Sequence, residues 1–212
     1  MELKIAVVCS SNQNRSMEAH KFLSKKGFNV KSYGAGNQVK LPGSAPNQPN
    51  VYSFQTTYDE MYKDLLRKDR LLYTQNGILH MLDRNRRIKS RPERFQDTQE
   101  TFDIVITAEE RVYDQVVESL ESRQPETYSP VHIINIDIQD NHEEATLGAF
   151  LVCSLCEQVV SRVLFNRPIR RTFKQCVIWK TVVLEKFLHL KKQKLVINYK
   201  LFIFEVERYF PQ

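Results

Sequence analysis

The sequence offers no segment that would span a membrane. Its longest apolar stretch, residues 147–156, is about half of the roughly 20 residues that a bilayer-spanning helix requires. The N-terminus also does not follow the pattern of a secretory signal, because Lys4 is followed by only a short apolar run and then by polar residues. We therefore expect no membrane association.

Cysteine is scarce, with four residues in a chain of 212. Such a low count does not suit a disulfide framework, and it predicts free thiols in a reducing compartment. Cys153 and Cys156 form a lone C-x-x-C, but no second pair or suitably spaced histidine completes a zinc site. We interpret these two as small core residues on one helix face, and we expect no metal and no other cofactor.

Acidic residues are scarce in one part of the chain only. Residues 157–212 contain 12 Lys and Arg but only four Glu and no Asp, which gives them a charge of +8. Since the whole chain carries +6, residues 1–156 carry −2. The basic character therefore belongs to the tail at 157–212, whose folding the sequence does not indicate, and the body at 1–156 is not expected to bind nucleic acid directly.

The body alternates short apolar runs with helical patterns. Four apolar runs predict buried strands, at residues 3–8, 29–33, 103–107 and 131–136. Three helices follow them, at residues 16–26, 109–120 and 143–160. This alternation predicts an α/β fold, a doubly wound parallel sheet of about four to five strands.

Residues 50–95 interrupt the alternation and predict a mostly helical insertion. Helical spacing of apolar residues indicates helices at 56–67 and 71–83, the second broken or entered near Asn76 and Gly77. Residues 84–94 are expected to form a basic loop. Before the insertion, residues 37–50 are expected to be a loop, because Pro and Gly recur there.

A C-x5-R motif lies between the first predicted strand and the first predicted helix. Backbone N–H groups of such a loop, together with the positive end of the helix, form a site for a phosphate group. Arg15 can hold two phosphate oxygens, the same field favours the thiolate of Cys9, and the hydroxyl of Ser16 can donate to the sulfur. The motif therefore predicts a cysteine nucleophile in a phosphate-binding loop made of Ser10, Ser11, Asn12, Gln13, Asn14, Arg15 and Ser16.

The same loop contains no glycine, so we expect Asn12 and Asn14 to supply any left-handed backbone. The alternative interpretation of the motif is structural, a buried cysteine that ends a strand near a surface arginine. The strand before the motif and the helix after it favour the phosphate site.

Attack by a thiolate on a phosphoester leaves an alkoxide, which requires a general acid. In open α/β sheets the reacting groups lie beyond the carboxyl ends of the strands. Asp137 and Asp140 both follow the strand predicted at 131–136, and His142 comes shortly after them. We favour Asp140, because it lies further into the loop and can lean over the thiolate, whereas Asp137 sits at the strand end and His142 suits a solvated loop.

Several blocks occur in an order that resembles one family, the Ssu72 phosphatases of the RNA polymerase II C-terminal domain. They are CSSNQNRSMEAH at the loop, KLPG at 40–43, NVYSFQTTYDEMY at 50–62, LYTQNGILHMLDRN at 72–85, EERVYDQVVE at 109–118 and DIQDNHEEATLGAF at 137–150. The resemblance covers residues 3–156. It implies a fold like that of low-molecular-weight tyrosine phosphatases, with extra helices and a small hairpin near the active site.

The resemblance also implies a reaction and a setting. The substrate would be phosphoserine at the fifth position of the polymerase heptad repeat, with the following proline bond in cis, cleaved through a cysteinyl-phosphate intermediate. The family acts in the nucleus, with a possible cytoplasmic share, in transcription termination and mRNA 3′-end processing. Its implied partners are the polymerase phosphopeptide, symplekin and the cleavage and polyadenylation machinery, and it uses no metal.

Transferred to matching positions, the resemblance makes Cys9 the nucleophile, Arg15 the phosphate ligand and Asp140 the general acid. It further implies that four residues line the peptide groove, namely Lys40, Pro42, Met81 and Leu82. The match ends near residue 156, where the composition changes abruptly. We hypothesise an alternative splice product or a read-through for 157–212.

Alternative functions remain open at the level of the sequence. The same fold class includes tyrosine phosphatases and arsenate reductases, and a changed tail would also suit an inactive variant. The basic tail itself could bind RNA or an anionic membrane, although a solvated segment is the simpler interpretation.

Overall fold

The computed structural model describes residues 3–45, 47–123, 131–164 and 201–206. The elements in chain order are β1 (Lys4–Cys9), α1 (Arg15–Lys25), β2 (Asn29–Gly34), β3 (Val39–Ala45), β4 (Gln48–Tyr52), α2 (Tyr58–Gln75), α3 (Ile78–Ile88), β5 (Ile104–Thr107), α4 (Glu110–Glu121), β6 (Val131–Ile136), α5 (His142–Leu164) and β7 (Leu201–Val206). A short 3-10 turn, Phe95–Asp97, precedes β5.

One five-stranded sheet forms the centre of the molecule, in the order β2-β1-β5-β6-β7. The first four strands are parallel, which confirms the predicted α/β class. Strand β6 has the predicted bounds, and its apolar sequence suits a strand that is buried on both faces. Strand β7 pairs antiparallel with β6, from Val131 opposite Val206 to Ile136 opposite Leu201, and it comes from the tail, where no element was predicted.

The two faces of the sheet bury alternate residues of β1. Ile5 and Val7 belong to the cluster under α1 and α5, while Ala6 and Val8 belong to the cluster under α4. Cys153 and Cys156 are buried on α5 in the first cluster, as predicted for core residues. None of the helices in the described ranges combines the length and the apolar character that a bilayer crossing would need.

The insertion has an apolar cluster of its own, which joins α2 and α3 to the β3–β4 hairpin. Met61 and Leu65 of α2 pack there with Leu41 of β3 and Leu82 of α3. Met17 of α1 belongs to the same cluster, so the insertion packs directly behind the Cys9 loop. The two helices meet at Asn76 and Gly77, and Gly77 has the positive φ of 78° that glycine adopts without strain.

The structure corrects the expected loop at 37–50. Residues of β3 and β4 form an antiparallel hairpin there, with an irregular register between Leu41 and Ala45. Proline is tolerated in such a ribbon because N–H groups on its open edges need no partner strand. The hairpin agrees with the family resemblance, and the local Pro and Gly pattern was misleading.

The helix boundaries in the insertion differ in part from the predicted ones. Helix α2 runs to Gln75, but its backbone is not helical at Asp69, close to the predicted end at 67, and the predicted break near Asn76 and Gly77 separates α2 from α3. Helix α3 continues to Ile88, so the first part of the expected basic loop at 84–94 is helical. Asp83 offsets the local charge by pairing with both Arg86 and Arg87. Most of the tail at 157–212 lies outside the described residues.

Candidate active site

The Cys9 loop joins the carboxyl end of β1 to the N-terminus of α1. The Sγ atom of Cys9, a residue only 3% exposed, lies 3.1 Å from the Oγ atom of Ser16. Asn12 has the left-handed backbone predicted for it, with a φ of 53°, and its Nδ2 donates to the same Oγ over 3.0 Å. Because the Ser16 oxygen already accepts from Asn12, its proton is free to point at the sulfur. Asn14 does not share the left-handed geometry, since its φ is −103°, and that prediction was wrong.

Arg15 begins α1 beside the thiol and is 4% exposed. Its Nη1 donates to the carbonyl oxygens of Ile138 over 2.9 Å and Ala108 over 3.3 Å, and it lies 2.8 Å from Oε2 of Glu109. Burial lowers the pKa of Arg15, but the nearby negative charges of Cys9, Asp140 and Glu109 outweigh it and leave that pKa above its usual value. The guanidinium is therefore a permanent, fixed cation at the loop.

Among the three candidate acids, the structure brings only Asp140 to the loop. Its Oδ1 accepts from Nδ2 of Asn14 over 3.0 Å, and its Oδ2 lies 3.5 Å from Nη2 of Arg15. Asp140 is also 58% exposed, so substrate can reach it. Asp137 instead accepts from the side chain of Asn135 over 2.8 Å.

His142 lies away from the loop. Its Nε2 is 3.2 Å from the carbonyl oxygen of Asn76, at the connection between α2 and α3. The structure thus gives His142 a role in seating α5 against the insertion, and the preference for Asp140 rests on position as well as on motif.

Sequence reasoning missed Glu109. Its carboxylate, 32% exposed, forms the shortest contact that Arg15 makes. A signal was present, because Glu109 follows β5 just as Asp140 follows β6, and parallel strands deliver such residues to one edge of the sheet. By pairing with Arg15, this carboxylate orients the guanidinium and adds negative charge next to it.

The helical insertion also contacts the loop, which sequence reasoning did not predict. The hydroxyl of Tyr58, at the start of α2, donates to the carbonyl oxygen of Asn12 over 2.6 Å. Arg84 and Asn85 of α3 donate to the carbonyl oxygen of Gln13 over 2.7 and 2.8 Å. Burial raises the pKa of Tyr58 well above its usual value, and the charge of Cys9 raises it further, so the phenol remains a donor.

Comparison with known proteins places this arrangement in one family. The sequence model of the Ssu72-like proteins matches residues 3–191. The chain belongs to the Ssu72 family. Two curated relatives, the RNA polymerase II C-terminal domain phosphatases SSU72 of Gallus gallus and Homo sapiens, are 73% and 72% identical to it over 155 residues, which cover 73% of this chain and 80% of each relative. Membership of the Ssu72 family makes the chain a phosphatase.

Solved Ssu72 structures share the fold. Drosophila melanogaster Ssu72 with symplekin, bound to a cis peptidomimetic phosphoserine-5 peptide of the C-terminal domain, matches with a TM-score of 0.76 at 48% identity and covers 94% of this chain and 97% of that one. A serine phosphatase of the RNA polymerase II C-terminal domain from the same organism matches with a TM-score of 0.77 at 49% identity, over 96% of this chain and 100% of that one. The Ssu72 family model also runs well past residue 156, where the sequence blocks end.

Within this Ssu72 fold, the four predicted groove residues divide into two pairs. Lys40 and Pro42 are exposed on β3, and the backbone N–H of Lys40 donates to Oγ of Ser11 over 3.3 Å. Met81 and Leu82 are 6% and 0% exposed in the cluster of the insertion. Leu82 therefore has no surface for a peptide in this conformation, and Lys40 and Pro42 are the exposed pair among the four predicted groove residues.

The Ssu72 loop also packs tightly against the end of β2. The backbone N–H of Gly36 donates to the carbonyl oxygen of Ser10 over 2.9 Å. A Cβ atom at Gly34 would lie 2.9 Å from that same oxygen and from the ring of Phe54, so only glycine fits there. Among the described residues, no group of His, Cys, Asp and Glu is arranged to hold a metal ion.

Proposed function

We propose that this chain hydrolyses phosphoserine at the fifth heptad position of the RNA polymerase II C-terminal domain, with the following proline in cis, through a cysteinyl-phosphate. The observation that carries the proposal is the meeting of Cys9, Arg15 and Asp140 around one helix N-terminus. The printed functions of the Gallus gallus and Homo sapiens relatives, and the peptide bound to the Drosophila melanogaster protein, support this choice of substrate.

In the first step the thiolate of Cys9 attacks phosphorus. An S–P bond forms, the bond from phosphorus to the serine oxygen breaks, and that oxygen takes a proton from Asp140. Arg15 and the N–H groups of the loop hold the three equatorial oxygens, over which the charge of the phosphoryl group is spread in the transition state. The 58% exposure of Asp140 leaves it open to the leaving group.

In the second step water attacks the cysteinyl-phosphate. Asp140, now ionised, takes a proton from that water, and the S–P bond breaks to release inorganic phosphate. The Ser16 hydroxyl, 3.1 Å from the sulfur, donates a hydrogen bond to the departing thiolate. The chain's own residues thus supply the nucleophile, the acid and base, and the charge stabilisation.

The proposal includes a cellular setting. A cis X-Pro bond is the minor isomer in flexible chains and exchanges slowly, so prolyl isomerisation would limit the supply of substrate. We place the protein in the nucleus, in mRNA 3′-end processing and transcription termination, with symplekin as a partner. The Drosophila melanogaster Ssu72 structure, which contains symplekin, supports that partner.

An arsenate reductase on this fold would need further thiols to relay a disulfide. Cys153 and Cys156 are buried on α5, and burial raises the pKa of Cys153 to about 11. Burial also raises the pKa of Cys156. Neither thiol is suited to form a thiolate at neutral pH, and this counts against the reductase.

The test compares two leaving groups at mildly acidic pH, a phosphoserine-proline peptide and nitrophenyl phosphate. Cys9→Ser should abolish turnover of both, because an alcohol is not ionised there. Asp140→Asn should lose roughly 10²–10⁴-fold on the serine peptide, which needs a protonated leaving group, and much less on the nitrophenol. Asp137→Asn is the matched control and should lose little on either.

Equal losses on both substrates would remove Asp140 from the acid role. Faster turnover of a phosphotyrosine peptide than of the phosphoserine-proline peptide would overturn the proposed substrate and favour a tyrosine phosphatase.

A further inference from the structure

We propose that Arg84 and Asn85 are positioning residues that fix the phosphate-binding loop from outside. The inference rests on the proposed phosphatase site and names two residues that support it without touching substrate. Both lie on α3, in the insertion, and both are far from Cys9 in sequence.

Side chains of the insertion bind three successive carbonyl groups of the loop. Tyr58 donates to Asn12, and Arg84 Nη2 donates to Gln13 over 2.7 Å and to Asn14 over 3.4 Å. Asn85 Nδ2 gives the Gln13 oxygen a second hydrogen bond of 2.8 Å. The Asn14 oxygen also accepts from the N–H of Glu18 within α1 over 2.9 Å, so the oxygens of Asn12 and Gln13 are the two that the insertion itself turns toward it.

The opposite side of the same peptide groups is the one that meets phosphate. In a trans peptide the N–H points away from the C=O of the preceding residue, and the described chain has no cis bonds. Holding the carbonyl groups of Asn12 and Gln13 toward α2 and α3 thus turns the next two N–H groups, those of Gln13 and Asn14, away from the insertion. Oriented N–H groups of this kind form the anion-binding face of a phosphate loop.

External anchors suit this loop because it contains no glycine. Only Asn12 has a positive φ, at 53°, and the backbone cannot reach unusual conformations elsewhere without strain. Asn12 and Gln13 are 0% and 3% exposed, so their carbonyl groups have no water to bind. Hydrogen bonds from the insertion therefore replace both glycine flexibility and solvation.

Arg84 is held in turn by a buried ion pair. Its Nη1 pairs with Glu18 of α1, whose side chain is 9% exposed, and its Nε donates to Oδ1 of Asn85 over 3.0 Å. Burial lowers the pKa of Arg84, while Glu18 raises it. One connected set thus links α1, α3 and the Gln13 carbonyl, and its hydrogen bonds reach the site through the loop.

The experiment uses the full chain with two conservative variants. Arg84→Lys keeps a cation for Glu18 but removes the planar fork, and Asn85→Asp keeps the acceptor for Arg84 but puts a carboxylate oxygen against the Gln13 carbonyl. Arg87→Lys is the control, because Arg87 lies on the same helix, is 75% exposed and pairs with Asp83. Each protein is assayed for inhibition by vanadate, for kcat/KM on nitrophenyl phosphate, for thermal unfolding and for hydrogen exchange of amides 10–16.

Both site variants should weaken vanadate binding and lower kcat/KM by roughly 10²-fold, the loss expected when binding groups move by about 1 Å. Their loop amides should exchange faster than in the wild type, and Arg87→Lys should match the wild type throughout. If either variant lowers the melting temperature while vanadate affinity and loop exchange stay unchanged, its residue has a purely structural role and the inference is overturned.

The exchange measurement separates this inference from the proposed function. If the wild type hydrolysed no phosphoester, the proposed function would fail. Faster exchange at amides 10–16 in the variants would then still support the positioning role, and unchanged exchange would overturn it.

Discussion

At the scale of single residues, the site is short of positive charge. Cys9 as a thiolate, Glu109 and Asp140 surround one cation, Arg15, while Arg84 is already paired with Glu18. A phosphate dianion that enters this group adds to the negative charge. The N–H groups of the loop must therefore share with Arg15 the work of holding the phosphate oxygens.

The pH dependence of stability should carry the signature of His20. Its Nδ1 lies 2.8 Å from Oγ of Ser32. Burial, and after it the positive charge of Lys89, lower the pKa of His20 to about 4, while Glu93 acts in the opposite direction. The unfolded chain binds this proton near pH 6.5 and the folded chain only near 4, so stability falls as the pH drops from 6.5 toward 4. We expect a loss of about 1–2 kcal/mol at pH 5 relative to pH 7.5.

Urea unfolding at the two pH values checks this. His20→Asn places an amide near the position of Nδ1 but does not titrate, so its stability should fall less on acidification than that of the wild type. The exposed His80→Asn should behave as the wild type. Parallel losses in wild type and His20→Asn would assign the acid sensitivity to other groups.

At the scale of elements, the start of α2 connects a local sequence signal to the site. The hydroxyl of Thr57 accepts from the N–H of Glu60 over 3.1 Å, and the carboxylate of Glu60 accepts from the N–H of Thr57 over 2.7 Å. This capping box fixes the first turn of α2. Tyr58 follows at once, and its hydroxyl reaches the carbonyl of Asn12.

Thr57→Ala should therefore do two things. It should lower the free energy of unfolding by about 1 kcal/mol, the usual cost of a lost cap. It should also reduce kcat/KM on nitrophenyl phosphate modestly, because Tyr58 loses its fixed direction. Thr101→Ala, at an exposed position outside helices and strands, should change neither quantity, and a Thr57 variant as stable as the wild type would show that the cap contributes nothing.

Much of the central sheet was predictable, because parallel strands between two helix layers must be apolar throughout. Strand β6 matched its predicted bounds, and β1, β2 and β5 differed by a residue or so at their ends. The β3–β4 hairpin was not predictable from local pattern, because prolines and glycine mark loops and open-edged ribbons alike. The arginine-rich end of α3 was predicted to be a loop because its sequence is highly charged. The contacts that stabilise it as a helix end are with residues far away in the sequence.

The candidate active site likewise contains residues that the sequence predicts and residues that it does not. Cys9, Arg15 and Ser16 lie within one short motif, so their meeting follows from chain connectivity. Asp140 followed from the rule for strand ends. The anchors Tyr58, Arg84 and Asn85 lie 46 to 72 residues from their partners in the loop, and no spacing in one sequence encodes such pairs.

At the scale of the whole molecule, the tail completes the sheet. Strand β7 covers the outer edge of β6 along six paired positions. An uncovered edge of this kind presents free N–H and C=O groups, which favours association between chains. The tail therefore contributes backbone hydrogen bonds to the domain, whichever transcript encodes it.

A chain that ends at Lys200 should be less stable than one that ends at Val206. Each lost backbone hydrogen bond costs about 0.5–1.5 kcal/mol, and the bare edge of β6 should promote association. Thermal unfolding and light scattering measure the two effects. If both truncated chains unfold at the same temperature and stay equally monomeric, β7 adds no stability to the sheet.

Leu201 lies opposite Ile136, the last residue of β6, and Asp140 comes four positions later in the chain. Cys9 sits on β1, separated from β6 by β5. Exchanging the C-terminal segment would accordingly act first on the strand that leads to Asp140, two strands away from the sulfur. We expect chains engineered with different ends to differ more at the Asp140 side of the cleft than in how their Cys9 loop holds phosphate.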